Sequence, residues 1–374
     1  MKALVLAGGR GTRLRPITHT AAKQLVPVAN KPVLFYGLEA LRDAGIREVG
    51  IVVSDPREML QPDPRTGERT TVMVNSQAEI RHAVGDGSAF GLDVTYIEQE
   101  APLGLAHAVK ISEDFIREQP FVMYLGDNLI KDGITPFVRE FEAEKPDAQI
   151  LLAHVKTPWE FGVAELEGDR VVRLEEKPPQ PRSDLALVGV YLFSTCVFEA
   201  VKAIRPSPRG ELEITDAIQY LMDHGRRVRS HVIKGWWKDT GKVEDMLEGN
   251  RMMLMGLETE IRGEVDAATE IEGGVSIGPG TVVERSRLRG PLVIGAGARI
   301  SDSYVGPFTS IADGVVLSRC EIEHSIVLER SRIEDIPGRI ESSLIGKDVV
   351  VCGKESRPRA HRLMLGDSSR LELS

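Results

Sequence analysis

A chain of 374 residues exceeds the roughly 250 to 300 residues that one hydrophobic core usually serves, so two domains are expected. Its 47 Lys and Arg against 56 Asp and Glu give a formal charge of −9, which excludes a general binder of nucleic acid or anionic membrane but allows a local basic pocket. Cys196, Cys320 and Cys352 are widely separated, with no Cys-x-x-Cys pair and no histidine at metal-ligand spacing; they read as reduced, structural thiols.

Residues 2–7 predict the first strand. This apolar run is far below the ~20 residues of a membrane span and unlike a signal peptide, which points to the cytoplasm. Further strands are predicted over 49–54, 94–98, 121–125 and 150–156, with helices over 33–44 and 105–117. Such alternation is the pattern of an α/β domain with a mainly parallel sheet and helices on both faces. The polar stretch 57–74 reads as an exposed loop or hairpin, or as a subunit contact. Residues 243–257, rich in Met and Leu, read as a helix closing the first domain, with its methionines as core filler.

From about Ile261 the spacing changes. Ile271, Ile277 and Val283, then Ile294 and Ile300, then Val305, Ile311, Leu317, Ile322, Val327 and Ile333 recur at five- or six-residue intervals, and Ile340, Ile345 and Val351 resume the pattern. Glycines beside several of them suit short strands that turn a corner after each rung. A left-handed parallel β-helix of hexad repeats is expected, giving domains over 1–250 and 251–374. The arginine-bearing tail after 353 is expected to cap the solenoid or to make an oligomer contact.

The candidate chemistry begins directly after the first strand, at Gly8-Gly9-Arg10-Gly11-Thr12-Arg13-Leu14. Glycines there let backbone N–H groups approach phosphates, and Arg13 adds a permanent charge. The run is neither a dinucleotide fingerprint nor a Gly-Lys-Ser/Thr phosphate loop. Then come Lys23-Gln24-Leu25-x-Pro27, the stretch from Tyr96 to Ala106, Leu125-Gly126-Asp127-Asn128, Glu175-Glu176-Lys177-Pro178, Gly210-Glu211-Leu212-Glu213-Ile214-Thr215-Asp216 and Trp237-x-Asp239-Thr240-Gly241. In content and order these motifs resemble the sugar nucleotidyltransferases, and among them the long-form glucose-1-phosphate thymidylyltransferases, whose catalytic domain is Rossmann-like.

The resemblance implies a transfer in which a sugar-phosphate oxygen attacks the α-phosphorus of a nucleoside triphosphate and pyrophosphate leaves, a reaction governed by positioning and charge neutralisation. It implies that Gly8, Gly11, Thr12 and Arg13 hold the triphosphate, that Arg13 and Lys23 neutralise developing charge, and that Lys177 grips the hexose 1-phosphate. Asp127 and Asp239 would hold Mg²⁺, a hard cation suited to carboxylate and phosphate oxygens. Gln24 would bind the nucleotide, and Gln99, Pro102 and Gly104 would form the loop that reads its base. Phe161, Gly162, Glu176, Leu187, Gly189, Tyr191 and Trp237 fall at sugar-contacting positions, with Phe161 standing where short-form enzymes carry Tyr.

Other readings compete. An aspartate after a strand also caps helices, and Asp239-Thr240-Gly241 also reads as a turn. His107 and His154 lack triad partners and read as core or surface residues. A uridylyltransferase would use the same chemistry. A non-catalytic assembly subunit would not need Arg13, Lys23, Asp127, Lys177 and Asp239 together. Acyl transfer by the β-helix would rest on His324 alone. Small-molecule substrates and a homo-oligomer built through the β-helix are expected, without nucleic acid or membrane partners.

Overall fold

The run Lys-Ala-Leu-Val-Leu forms a strand, Lys2–Leu6, buried at every position. Its side chains alternate between two cores: Leu4 and Leu6 join one cluster, and Ala3 and Val5 the other. That is the expected environment of a central parallel strand covered on both faces. The computed structural model describes residues 1–9, 14, 17, 22–54 and 76–353, with the backbone alone for 57–62 and 69–74.

Lys2–Leu6 pairs in parallel with Glu48–Ser54 on one side and Phe121–Leu125 on the other, and Glu48–Ser54 pairs in parallel with Asp93–Gln99. Beyond Phe121–Leu125 most pairings of the nine-stranded sheet are antiparallel, the exception being Ala148–His154, which pairs in parallel with Val228–Val232. Leu185–Phe193 pairs antiparallel with Phe121–Leu125 and Ala148–His154, and Gly162–Glu167 with Arg170–Glu176. The sheet is thus mixed. Only Gly168 and Asp169 separate Glu167 from Arg170, and Gly168 has φ +62°; so short a turn makes a hairpin and leaves no room for a crossover helix.

Val33–Asp43 buries Val33, Leu34, Gly37, Leu38 and Leu41, one stripe at helical spacing. The expected helix over 105–117 is two, Leu105–Ile111 and Glu113–Ile116. They divide at Ser112, whose buried hydroxyl donates to the Ala108 carbonyl at 2.7 Å, an alternative to helix continuation that serine favours. The stretch 57–74 contains a hairpin, Arg57–Pro62 against Arg69–Val74.

Packing divides the described chain into two compact units, residues 1–9, 22–25 and 33–239 forming the first, and 14, 17, 26–32 and 240–353 the second. The helix expected to close the first domain, Val243–Leu254, therefore belongs to the second unit. There it buries Met246, Gly249, Asn250 and Leu254. Asn250 Oδ1 accepts from the Ala29 N–H at 2.8 Å and the Ser310 hydroxyl at 2.6 Å, while its Nδ2 donates to the Phe308 carbonyl at 2.9 Å. Met246 is buried and Met255 exposed, so the methionines are filler only in part.

The second unit is a left-handed parallel β-helix with three sheets of six, six and five short strands. Ile277 sits over Ile261, Ile294 over Ile277, Ile311 over Ile294, Val327 over Ile311 and Ile345 over Val327. The predicted hexad residues from Ile277 to Ile333 line its core, joined by Leu288, which the spacing had passed over. Cys196, Cys320 and Cys352 are free thiols. Among the described residues no helix is long and apolar enough to cross a membrane. The tail beyond 353 lies outside the described residues.

Candidate active site

The first strand ends at the glycine turn. Ala7 extends its ladder, donating to the Val52 carbonyl at 2.8 Å, and the Ser54 hydroxyl donates to the Gly8 carbonyl at 2.5 Å. A Cβ on Gly8 would come within 2.8 Å of Ser54 Oγ, and one on Gly9 within 3.3 Å of Gln24 Nε2. The turn therefore has room for backbone alone. Gly11, Thr12 and Arg13 lie outside the described residues.

Lys23 and Gln24 stand in a single 3₁₀ turn, Lys23–Leu25, both buried. Lys23 Nζ makes an ion pair with Asp127 Oδ2. Burial alone would raise the Asp127 carboxyl, but the adjacent Lys23 ammonium, with hydrogen bonds from Lys23 and Asn128, holds it below the usual carboxylate range. Asp127 therefore stays ionised although enclosed. Gln24 Oε1 is buried without a hydrogen-bond partner among the described residues, a costly state for an acceptor unless a ligand supplies a donor.

Asp127 and Asp239 are separated by more than a hundred residues and are joined by a two-stranded ribbon. Asn128–Ile130 pairs antiparallel with Trp237–Asp239, setting Asp239 opposite Asn128. Asn128 organises the junction: its Nδ2 donates to Asp127 Oδ1 at 2.9 Å, its Oδ1 accepts from Trp237 Nε1 at 2.6 Å, and its carbonyl accepts from the Tyr124 hydroxyl. A Cβ on Gly189 would lie 2.6 Å from the Asn128 side chain, so glycine is required at 189. Phe161 meets the Trp237 ring edge-on at 5.5 Å. No group of three or more His, Cys, Asp or Glu gathers among the described residues. Asp127, in the turn just before Asn128–Ile130, and Asp239, at the end of the facing strand, instead offer a partial, all-oxygen donor set, which fits Mg²⁺ completing its shell with phosphate and water.

On the opposite edge of the parallel half, Gln99 ends Asp93–Gln99 and is buried. Its Nε2 donates to the Gly104 carbonyl at 3.3 Å and meets His107 Nδ1 at 3.0 Å. Burial first, and then the Lys110 charge, hold His107 below the ordinary imidazole range, so the neutral ring can accept from the amide. Gly104 has φ +101°, and a Cβ there would come within 2.7 Å of Leu212 N; the Leu212 amide donates to the Leu103 carbonyl at 2.7 Å. The loop bearing half-buried Pro102 is thereby strapped to the Glu211–Leu212 segment.

The third group is built on the antiparallel half. Gly162 faces Glu176 in register, and a Cβ on it would lie 2.6 Å from Thr215 Cγ2, 3.1 Å from Glu176 Oε2 and 3.5 Å from Leu187 Cδ1. Leu187, Gly189 and Tyr191 share one side of their strand. Glu176 accepts from the Thr215 hydroxyl at 3.2 Å and from Arg209 at 3.3 Å, with the Lys177 ammonium 3.8 Å away. Burial raises its carboxyl above the usual range despite Lys177. Burial first, and then the Glu176 charge, likewise push the Tyr191 hydroxyl up. Lys177 holds φ +43° and its N–H donates to the Phe161 carbonyl at 3.0 Å, which locks the residue in the left-handed region.

Three contributors escaped the sequence reading. Asn128 was visible beside Asp127 without a role. Arg209, bridging Glu176 and Glu211, stands one residue before a recognised motif. His107, read as core or surface, holds Gln99. His324, the residue on which acyl transfer would rest, lies in a β-helix corner with its ring tilted against Phe308 at 5.1 Å.

The nucleotidyl transferase family model matches residues 2–255. A glucose-1-phosphate thymidylyltransferase from Streptomyces griseus is 56% identical over 375 residues, covering all of both chains. A low-salt glycan biosynthesis nucleotidyltransferase from Haloferax volcanii is 43% identical, again end to end. A Neisseria meningitidis thymidylyltransferase matches over 251 residues at 37% identity, 66% of this chain and 81% of that one. A Bacillus anthracis crystal structure assigned to the same activity, solved with sucrose, superposes with a TM-score of 0.59 at 33% identity over 67% of this chain and 94% of that chain. The chain belongs to the nucleotidyl transferase family of enzymes.

Proposed function

We propose that the protein is a glucose-1-phosphate thymidylyltransferase, converting dTTP and α-D-glucose 1-phosphate into dTDP-glucose and pyrophosphate. The observation that carries the reading is the ribbon that brings Asp239 to the buried Lys23–Asp127 pair, an arrangement that serves phosphoryl charge better than proton transfer. End-to-end identity of 56% with the Streptomyces griseus enzyme supports dTTP and glucose 1-phosphate as the substrates.

In this reading a phosphate oxygen of glucose 1-phosphate forms a bond to the α-phosphorus as the bond to pyrophosphate breaks. Gly8 and Gly11 to Arg13 cradle the triphosphate, and Arg13 and Lys23 offset the charge that accumulates on the leaving group. Mg²⁺, held by Asp127 and Asp239, supplies further charge neutralisation when bound. The amides of Gln24 and Gln99 read the base, with Pro102 and Gly104 shaping its pocket. Lys177 grips the sugar phosphate, while Glu176 receives sugar hydroxyls between Gly162, Leu187 and Tyr191, with Phe161 and Trp237 at its margin. Catalysis belongs to residues 1–250, and residues 251–374 mediate homo-oligomerisation in the cytoplasm.

Pyrophosphate release with Mg²⁺ and glucose 1-phosphate tests the assignment across dTTP, UTP, ATP, CTP and GTP. Turnover fastest with dTTP, and lost in Asp127→Ala, is expected. The thymine methyl is worth about 1 kcal/mol when buried, so roughly fivefold preference over UTP is enough to support the base assignment. UTP ahead of dTTP would retain the mechanism and change the nucleotide. No turnover with any pair, other sugar phosphates included, would overturn the enzyme assignment in favour of an assembly subunit.

A further inference from the structure

The five-stranded sheet of the β-helix carries a row of charges that changes sign throughout when its order is reversed. Its strands stack in the order Glu270–Glu272, Arg287–Arg289, Tyr304–Val305, Glu321–Glu323 and Arg339–Glu341. The middle residues Ile271, Leu288, Val305, Ile322 and Ile340 point into the core, so the flanking residues point outward. One outward row, in register, is Glu270, Arg287, Tyr304, Glu321 and Arg339.

From this pattern we infer that the face docks onto the same face of a second copy, with the two β-helix axes antiparallel. The inference rests on the homo-oligomer reading above and specifies its face and symmetry. A twofold axis running along the Tyr304 strand sends each strand to its mirror position in the order and keeps each row facing itself. Glu270 then meets Arg339 of the other copy, Arg287 meets Glu321, and Tyr304 meets Tyr304. In the second outward row, Arg289 meets Glu323, and Glu272 with Glu341 is the like-charged exception. The parallel alternative keeps each strand opposite itself and exchanges the rows. It would set Glu270 against Glu272, Arg287 against Arg289 and Glu321 against Glu323, each like-charged, with Arg339 against Glu341 as the one complementary pair. Complementary charge selects orientation because like charges brought together are penalised.

Intrachain contacts leave these side chains within reach of a partner. Arg287 and Glu321 are 54% and 53% exposed although Arg287 touches Glu272 at 2.9 Å and Glu321 touches Arg339 at 3.0 Å. Strands of up to three residues, five of them about 4.8 Å apart, make a face of roughly 20 by 10 Å, about 200 Å², smaller than the ~800 Å² per partner of a permanent dimer. Association through it is therefore reversible and salt-sensitive.

Sedimentation velocity of the full chain at low salt, about 0.02 M, and at about 0.5 M tests this. Arg287→Glu and Glu321→Arg should each weaken self-association by about tenfold or more, since each sets two like pairs across the axis. An equimolar mixture of the two variants should regain it as a heterodimer. There the new carboxylate at position 287 of one copy faces the new guanidinium at position 321 of the other, while the second Arg287–Glu321 contact remains native. Circular dichroism melts of each variant report whether the coil still folds. A mixture that stays monomeric while both variants fold, or a wild-type chain monomeric at low salt, overturns the proposal. Variants that associate as strongly as wild type overturn this face and leave the homo-oligomer reading standing through another surface.

Discussion

Lys23 and Asp127 are both largely withdrawn from water, so each depends on the other for its charge. Removing one partner leaves an uncompensated buried ion, which costs about 3–5 kcal/mol. Asp127→Ala should therefore lower the melting temperature as well as abolish turnover. Asp127→Asn, which keeps the shape and an oxygen for Lys23, should lose turnover by about 100-fold or more with a smaller thermal shift. Equal thermal losses in the two variants, read by calorimetry, would show that the lost charge of Asp127 accounts for the whole cost and that the retained side-chain oxygen offsets none of it. A second residue-scale test concerns Gln99. Its amide N–H reaches His107 Nδ1, an atom that accepts only while unprotonated. Because burial lowers the His107 pKa, the contact persists at neutral pH and is lost as pH falls below the ordinary imidazole value of about 6.5. The KM for the nucleotide should rise on that acid side with kcat less affected, and the rise should flatten in His107→Gln. An unchanged acid limb in that variant would remove His107 from base recognition.

At the level of elements, the ribbon Asn128–Ile130 with Trp237–Asp239 turns two distant motifs into one site. Trp237→Phe preserves the ring that meets Phe161 but deletes the donor to Asn128 Oδ1, leaving a buried acceptor unpaired at about 1–3 kcal/mol. Asn128 also orients Asp127, so kcat should fall further than the affinity for sugar phosphate. A selective rise in KM would instead assign Trp237 to the sugar. These elements were unevenly legible in the sequence. Parallel strands such as Lys2–Leu6, covered on both faces, announce themselves as unbroken apolar runs. Gly162–Glu167 and Arg170–Glu176 mix polar and apolar residues, and passed unrecognised although Gly162 and Glu176 were chosen as site residues. Ordered motifs identified Asp127 and Asp239, yet no local signal shows that Asn128 joins them. The Gln99–His107 and Arg209–Glu176 contacts depend on loop conformations that neither spacing nor periodicity encodes.

Over the whole molecule, the two units bury separate cores, one spread over both faces of a mixed sheet and the other running through stacked coils. The hexad repeat was legible because each coil presents the same apolar positions again, a redundancy that the first unit lacks. The helix Val243–Leu254 was assigned to the wrong partner because an amphipathic stripe says that a helix packs without saying against what. Its anchor, Asn250, is a polar residue whose partners Ala29, Phe308 and Ser310 are remote in sequence. Stacked architecture also predicts how damage should depend on position. Each coil touches only its neighbours, so stability is nearly a sum of coil and interface contributions, and a central defect weakens interfaces on both sides. Leu317 is fully buried in an interior coil, and Leu317→Ala should cost about 2–5 kcal/mol. Val351 is only half-buried, in the last strand of its sheet among the described residues, and Val351→Ala should cost well below that range, as it removes less buried surface and fewer packed neighbours. Urea denaturation followed by circular dichroism separates the two, with a shifted midpoint expected for Leu317→Ala and a nearly native curve for Val351→Ala. Equal losses would mean that the coils unfold as one cooperative block to the last rung, with no gradient toward the end of the solenoid.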